Sequence, residues 1–591
     1  MPDSNKAWGR RLIICCDGTW QTSVSDKENI PSNVTKLVRL VKNFGTDKED
    51  SNKKWHQIVY YDSGIGTGNL SGVESARQGG TGAGLMENVI EAYNFIVSNY
   101  EPGDEIFCFG FSRGAFTARA VSGLITDIGI IKPLDMQFFP RIYRAYMNYG
   151  AREDVKDLKN PKEKITQSDY DIKYDKNNGF RQSKYWKTLL EAEEPTFIQG
   201  PPSDDTRQIK VVGVWDTVGS LGIADVAGAN LGSLRKKFGF HNTKLSRRVE
   251  HAYHAIALDE RRPAFRPTLW YIDPETDSKS ELKQVWFPGV HINCGGGSSD
   301  GFLEMQGDME NISVATFTWM LQCIAPYLDI DQNGFKAYLE QYKGWINKLR
   351  NNCHYVHASR QSTFTKLWNK LPDMPLIGSE PDPLADPPRE EKPHTHEFDF
   401  GWGVGPIVDS YTLMYRGNGS PRARKPGHEE MEIEGQWSPI KGILTSPEPR
   451  PTGFKTHEYI HPLVHYRNTL LGKWDLDGDE YSQKKHPLAG WKRELRVEQD
   501  GYSRYWWYAP SGVENDRLPE WCILPHTAKG MNYERTWYSA AQGLNRDCSV
   551  QKDEKSAPKT VKSSPKHQAG YLEELDKKIK FDPEKLNDYE L

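Results

Sequence analysis

The segment that most restricts the fold of this chain is short. An apolar run at residues 105–109 leads directly into Gly110-Phe111-Ser112-Arg113-Gly114, and a helix-forming stretch at 115–125 follows at once. A G-x-S-x-G sequence between a strand and a helix describes a sharp turn that lifts a serine hydroxyl above the edge of a parallel sheet. The two glycines let strand and helix approach closely. The backbone N–H of Arg113 then lies where a negatively charged oxygen can be held, beside the positive end of the helix. The competing reading is a tight strand–helix turn in which Ser112 only caps the helix.

The first 330 residues repeat this alternation. Residues 12–16 read as a buried strand ending in Asp17-Gly18-Thr19-Trp20. Residues 57–61 form a second, ending in Asp62-Ser63-Gly64-Ile65-Gly66-Thr67-Gly68. Leu85, Val89, Ala92, Tyr93, Ile96 and Val97 then recur at helical spacing. Residues 209–215 form a strand that ends at Asp216, and residues 285–287 with Val290 form another that ends at His291. Short apolar strands, each closing in a glycine-rich or polar loop, predict an α/β fold: a mostly parallel sheet flanked by helices.

Around this core the chain divides by composition. Residues 10–340 read as the main domain, with a helical insertion at about 134–203, where Lys and Asp are dense. Seven prolines fall within residues 371–393, which excludes helix and central strand and marks 371–395 as a linker or long loop. Residues 396–545 are rich in Trp, Tyr, Gly and Pro and read as an irregular, aromatic-rich accessory region, either packed on the main domain or forming a small β-rich appendage. Residues 550–591 read as a disordered or charged tail, in which the last 24 residues suit a short charged helix.

The chain has 591 residues, 37% of them hydrophobic and 26% charged, which excludes collagen-like, coiled-coil and wholly disordered classes. With 76 Lys and Arg against 80 Asp and Glu, nucleic acid is not the expected partner. Eight cysteines include no C-x-x-C pair, and Cys15, Cys16 and Cys108 sit in strand-like runs, so buried thiols in a reducing compartment are expected. The N-terminal segment is polar and leads into only five apolar residues, too few for a secretory leader. No apolar run reaches membrane-spanning length, and the cytoplasm is the expected location.

A serine nucleophile needs a base and a group that orients the base. Asp216 stands where the acid belongs, at the end of an apolar strand and in the order Ser, acid, His. Its bland reading is a turn or cap residue. His291 stands in the base position, before Gly295-Gly296-Gly297. Two other histidines compete: His254, in a stretch at 247–258 that reads as a helix, and His461, far downstream in His457-Glu458-Tyr459-Ile460-His461-Pro462. The loop after the first strand supplies candidate second oxyanion donors, Gly18 and Thr19, with Trp20 an alternative to Thr19. Asp17 is a candidate brace for that loop. Gly64, Gly66 and Thr67 form a candidate substrate loop that lacks the Gly-Lys-Ser/Thr ending of a phosphate loop. No His or carboxylate cluster points to a metal, and no cofactor is expected. Asp475-Leu476-Asp477-Gly478-Asp479-Glu480 lacks the spacing of a calcium loop and reads as a solvated turn.

These residues together resemble the α/β-hydrolase domain of type VI secretion phospholipase effectors and their fungal relatives. The resemblance rests on Cys16-Asp17-Gly18-Thr19-Trp20, Tyr60-Tyr61 with Gly64-Ile65-Gly66-Thr67, Gly110-Phe111-Ser112-Arg113-Gly114-Ala115, Asp216-Thr217-Val218-Gly219, and Phe287-Pro288-Gly289-Val290-His291 with the glycines that follow. The motifs run in family order. One position departs: the family often has Asp two residues after this histidine, and Asn293 stands there. The resemblance implies a phospholipase or related ester hydrolase with Ser112 as nucleophile, Asp216 as acid and His291 as base. The expected partner is a lipid or small-molecule ester, with peripheral membrane contact a candidate. The competing functional classes are a non-catalytic interaction protein on the same fold and a thioesterase or peptidase. Arg113 and Arg119 are candidate headgroup contacts, against a plain role as helix-surface or ion-paired arginines.

Overall fold

Strand β1 (Trp8–Cys16) alternates between two apolar environments. Ile13 and Cys15 face one core, while Leu12, Ile14 and Cys16 face another, all five completely buried. A strand apolar on both sides is stable only inside a sheet covered on both faces. Burying each such large side chain is worth roughly 1.5–3 kcal/mol, so these runs hold the centre of the molecule. The computed structural model describes residues 8–18, 31–48, 50–64, 83–139, 143, 198–200, 202–218, 245–262, 265–272, 278–297, 308, 310–351, 401–405, 407, 410, 423–427, 456–471, 486–497, 503–510, 517–524, 531–542 and 570–579.

After β1 come helix α1 (Asn33–Leu40), strands β2 (Phe44–Thr46) and β3 (Lys54–Asp62), helix α2 (Ala83–Asn99), strand β4 (Glu105–Phe111) and helix α3 (Arg113–Ile128). Strands β5 (Ile209–Trp215), β6 (Val249–Ala257) and β7 (Glu281–Phe287) follow, then helices α4 (His291–Gly295), α5 (Val314–Ile324) and α6 (Gln332–Asn351). The last elements are β8 (Glu458–Ile460), α7 (Pro462–Leu471), β9 (Lys492–Val497), β10 (Ser503–Tyr508), β11 (Arg517–Pro519), α8 (Tyr533–Gln542) and α9 (Tyr571–Lys578). Eight strands make one sheet in the order β2-β3-β1-β4-β5-β6-β7-β8, parallel throughout except for the antiparallel edge strand β2. The architecture is the expected α/β sheet flanked by helices.

The stretch around His254 differs from its expected helix. It is β6, between β5 and β7. Alanine favours helix over strand locally, but at the middle of a crowded parallel sheet small side chains fit where packing decides. Tyr253, Ala255 and Ala257 point into one core and Ala252 into the other, the two-residue period of a strand.

Described residues beyond the proline-rich segment are built into the same core. β8 adds to the main sheet beside β7. Trp402, Leu463, Tyr466, Trp537, Tyr538, Leu572 and Leu575 lie in one cluster with Phe107, Trp215 and Phe287. Described residues of the expected accessory region thus share the hydrophobic face of the main sheet, because a three-stranded antiparallel sheet (β11-β10-β9) is too small to bury its aromatics alone. In the expected charged tail, α9 buries Tyr571, Leu572 and Leu575 on the same face. The linker at 371–395, the acidic turn at 475–480 and most of the 134–203 insertion lie outside the described residues. Among the described residues no helix is long and apolar enough to cross a membrane.

Candidate active site

The chain turns sharply between β4 and α3. Ser112 has φ 57° and ψ −121°, a left-handed conformation that costs a residue other than glycine roughly 1–3 kcal/mol. Neighbouring glycines make it possible. A Cβ on Gly110 would lie 2.3 Å from the Gly114 carbonyl oxygen, and one on Gly114 would lie 2.2 Å from that of Cys16. Any side chain at either position would force the helix away from the strand. The helix start therefore sits against the end of β1. Ser112 makes no side-chain cap to α3, so the capping reading does not describe it.

Its hydroxyl is engaged elsewhere. Ser112 Oγ lies 2.7 Å from His291 Nε2, and His291 Nδ1 lies 2.6 Å from Asp216 Oδ2. The sheet sets this alignment: Ser112 follows β4, Asp216 follows β5, and His291 opens α4 after β7, all at the carboxyl ends of parallel strands. The Ser112 N–H donates to the Trp215 carbonyl at 3.1 Å, which ties the turn to the neighbouring strand end. Asp216 also has a positive φ, 39°, which turns its carboxylate back over the sheet edge. Gly295 is required behind them, since a Cβ there would strike the Phe111 ring at 2.1 Å. The rings of Phe111 and Phe265 pack on His291 with centroids 4.8 and 5.0 Å away.

Asp216 is completely buried. Burial alone would raise its pKa, but the Arg424 guanidinium and the His291 hydrogen bond outweigh this and hold it well below the usual carboxylate range. An ionised carboxylate only accepts hydrogen bonds, so His291 Nδ1 carries the proton and Nε2 presents its lone pair to Ser112. Burial lowers the His291 pKa, and the nearby Asp216 offsets only part of that effect. The imidazole is therefore neutral at pH 7.

Sequence reasoning missed a surrounding scaffold. The His291 N–H donates to Glu260 Oε2 at 3.2 Å, and Arg262 and the Ser410 hydroxyl also donate to this buried carboxylate. The Gly289 N–H donates to Asp259 Oδ2 at 2.6 Å. Asn293 accepts the Val290 N–H and donates to Asp308 Oδ1 at 2.8 Å, so it shapes the loop that carries His291. Most unexpected is Arg424, which grips both oxygens of Asp216. Glu260 and Asp259 directly follow the β6 end and were legible only once β6 was known to be a strand.

The competing histidines have other partners. His254 Nε2 accepts the Thr217 N–H at 3.1 Å and its Nδ1 faces Gln284, and burial pushes its pKa down to about 3. His461 accepts the Leu463 N–H at 3.1 Å, lies 3.2 Å from Glu534 and stacks on Phe287. Asp17 braces its loop: its carboxylate accepts from Ser32, Thr35, Tyr61 and the Gly18 N–H. That last bond corrects the expectation for Gly18, whose N–H is directed to Asp17 at 2.8 Å rather than toward an oxyanion. Thr19, Gly66 and Thr67 lie outside the described residues; Gly64 lies two residues beyond β3. Arg119 stacks on Trp270 at 4.1 Å and donates to the Thr268 carbonyl, a packing role rather than a headgroup contact. Arg113 opens α3, and burial lowers its pKa to about 10. Among the described residues no cluster of His, Cys, Asp and Glu could hold a metal.

Comparison with known proteins matches residues 10–323, over half the chain, to the type VI secretion system phospholipase effector Tle1-like catalytic domain. The chain belongs to this family. All three residues of the hydrogen-bonded relay fall inside the matched domain, whereas Arg424 and Ser410 lie beyond it. A curated relative, an uncharacterized protein of Saccharomyces cerevisiae (strain S288c), is 30% identical over 281 residues. That match spans 45% of this chain and about a third, 33%, of the yeast protein. Among solved structures, the Tle1 effector bound to the VgrG spike of the type VI secretion system is 17% identical, with a TM-score of 0.27, covering 50% of this chain and 52% of its own. An uncharacterized protein from Pseudomonas aeruginosa is 13% identical, with a TM-score of 0.25, covering 55% and 46%.

Proposed function

We propose that this chain is a serine hydrolase acting on ester bonds of lipids, of the phospholipase or lipase class. The observation that carries the reading is the 2.7 Å approach of His291 Nε2 to Ser112 Oγ with ionised Asp216 behind the imidazole. In this mechanism His291 takes the Ser112 proton as the hydroxyl oxygen attacks the ester carbonyl carbon. The imidazolium is stabilised by Asp216 and then gives its proton to the departing alcohol. Water, activated by the same imidazole, cleaves the acyl-enzyme and releases the fatty acid. The Arg113 N–H and the start of α3 face the developing oxyanion, with Thr19 as the second donor.

The family supports a lipid ester over other acyl compounds, since it is named for phospholipase effectors. The test is release of fatty acid from phosphatidylcholine and phosphatidylglycerol vesicles by the full chain, followed by mass spectrometry. Acyl thioesters and peptides serve as competing substrates. The expected result is ester hydrolysis that falls by about 10⁶-fold in Ser112→Ala. Turnover of thioesters or peptides alone would move the chain to another hydrolase class. Inertness of the folded wild type toward all of them would favour a non-catalytic interaction protein. Sedimentation with the same vesicles tests peripheral membrane contact.

A further inference from the structure

Arg424 reaches the site from 208 residues beyond Asp216, outside the family domain. It is 1% exposed, and an arginine is rarely buried without a specific partner. Its Nη1 donates to Asp216 Oδ1 at 2.6 Å and to the Ala257 carbonyl, and its Nη2 donates to Asp216 Oδ2 at 3.1 Å and to the Phe265 carbonyl. Two donors of one rigid plane on two carboxylate oxygens fix both the position and the rotation of the carboxylate. The Ala257 N–H adds a third strut to Oδ1 at 3.0 Å. Oδ2 is the oxygen that accepts the hydrogen bond from the His291 Nδ1–H, so the grip sets the direction of that bond. Phe265, held through its carbonyl, is also one of the two rings packed on His291.

We infer that Arg424 is a positioning residue for the Ser112–His291–Asp216 relay, supplied by the chain beyond the family domain. The inference rests on Ser112 being the nucleophile. A second contact from the same stretch runs in parallel, from the Ser410 hydroxyl through Glu260 to the His291 N–H. Residues 10–323 therefore contain the reacting groups but not the parts that aim two of them.

The charged groups around His291 are Asp216, Arg262 and Glu260, with Arg424 behind Asp216 and His254 on the adjoining strand. Arg424 offsets the negative charge that Asp216 directs at the imidazole. Its removal leaves that charge uncompensated and favours the imidazolium, so the acidic limb of kcat/KM moves to higher pH.

The test compares full-length Arg424→Ala and Arg424→Lys with wild type in vesicle hydrolysis across pH, after circular dichroism and thermal melts establish folding. Arg424→Ala is expected to lower kcat by up to about 10²-fold and to shift the acidic limb upward. Arg424→Lys, which keeps the charge but not the two-oxygen grip, keeps the limb and recovers only part of kcat. Added guanidinium ion restores Arg424→Ala but not Ser112→Ala. A folded Arg424→Ala with wild-type kcat and limb overturns the inference. Should that variant not fold, an Arg424→Lys enzyme with wild-type kcat overturns it equally. An inert wild type, or an active Ser112→Ala, instead breaks the underlying reading, and the two failures are distinguishable.

Discussion

Two aspartates end two parallel strands of the same sheet and meet opposite fates. Asp17 follows β1 and Asp216 follows β5. Both are buried and each has its carboxylate hydrogen-bonded. Around Asp17 the donors are neutral: two hydroxyls of α1 and its cap, the Tyr61 phenol and a backbone N–H. Burial exceeds what these bonds return, and the Asp17 pKa is raised. Around Asp216 stand an arginine and an imidazole, and its pKa is lowered despite complete burial. The same residue type at the same point of the fold is thus a loop brace in one place and a permanent anion in the other. Position at a strand end nominates a residue; the charge of its partners decides its chemistry.

Substitutions that keep shape and change charge probe this contrast. Asp216→Asn should lower kcat by about 10⁴-fold, because the amide no longer holds the imidazole in the required tautomer. Steady-state hydrolysis measures it, and a loss below tenfold would remove Asp216 from the relay. The two variants of Arg424 come next in size. Asp17→Asn should change kcat by less than about tenfold and cost on the order of 1 kcal/mol of stability, since rotating hydroxyls can accept from the amide. A kcat loss matching that of Asp216→Asn would mean that the β1 loop takes part in the chemistry.

The pH dependence of stability sharpens the same comparison. Asp216 has a depressed folded pKa, so its contribution is present above the unfolded value of about 3.9 and is lost as pH falls below it. Asp62, which ends β3 beside Cys16, has the opposite sign. Burial, partly offset by an Asn88 hydrogen bond at 2.6 Å, raises its pKa to about 7. Its favourable contribution is complete below about pH 4 and is lost as pH rises through about 7. Asp62→Asn should therefore flatten the decline of Tm between pH 5 and 8, the smallest of these effects. Equal slopes in wild type and variant would show that Asp62 ionises as freely as in the unfolded chain.

Much of the site was legible because its signals are local. The strand, elbow and helix around Ser112 are contiguous, and Asp216 and His291 each close an apolar run. The sheet order around them was less so. β6 was hidden by alanines, which favour helix until neighbouring strands impose the extended form. Three-residue β8 carries too short a pattern to stand out. Arg424 left no mark, since Ser420-Pro421-Arg422-Ala423-Arg424-Lys425-Pro426 reads as a basic surface turn. Nothing local tells which of its cations will be buried against an acid 208 residues away. The prolines mark a change of local texture in composition, whereas the core of aromatic side chains is assembled across it.

The central claim is that Ser112 is activated by His291. Its most direct test is reaction of the full-length protein with a fluorophosphonate, read by intact mass and by peptide mapping. The account predicts one adduct, on Ser112, formed in the wild type, slowed strongly in Asp216→Asn and absent in Ser112→Ala. An adduct that persists in Ser112→Ala, or a folded wild type that never reacts, would contradict it.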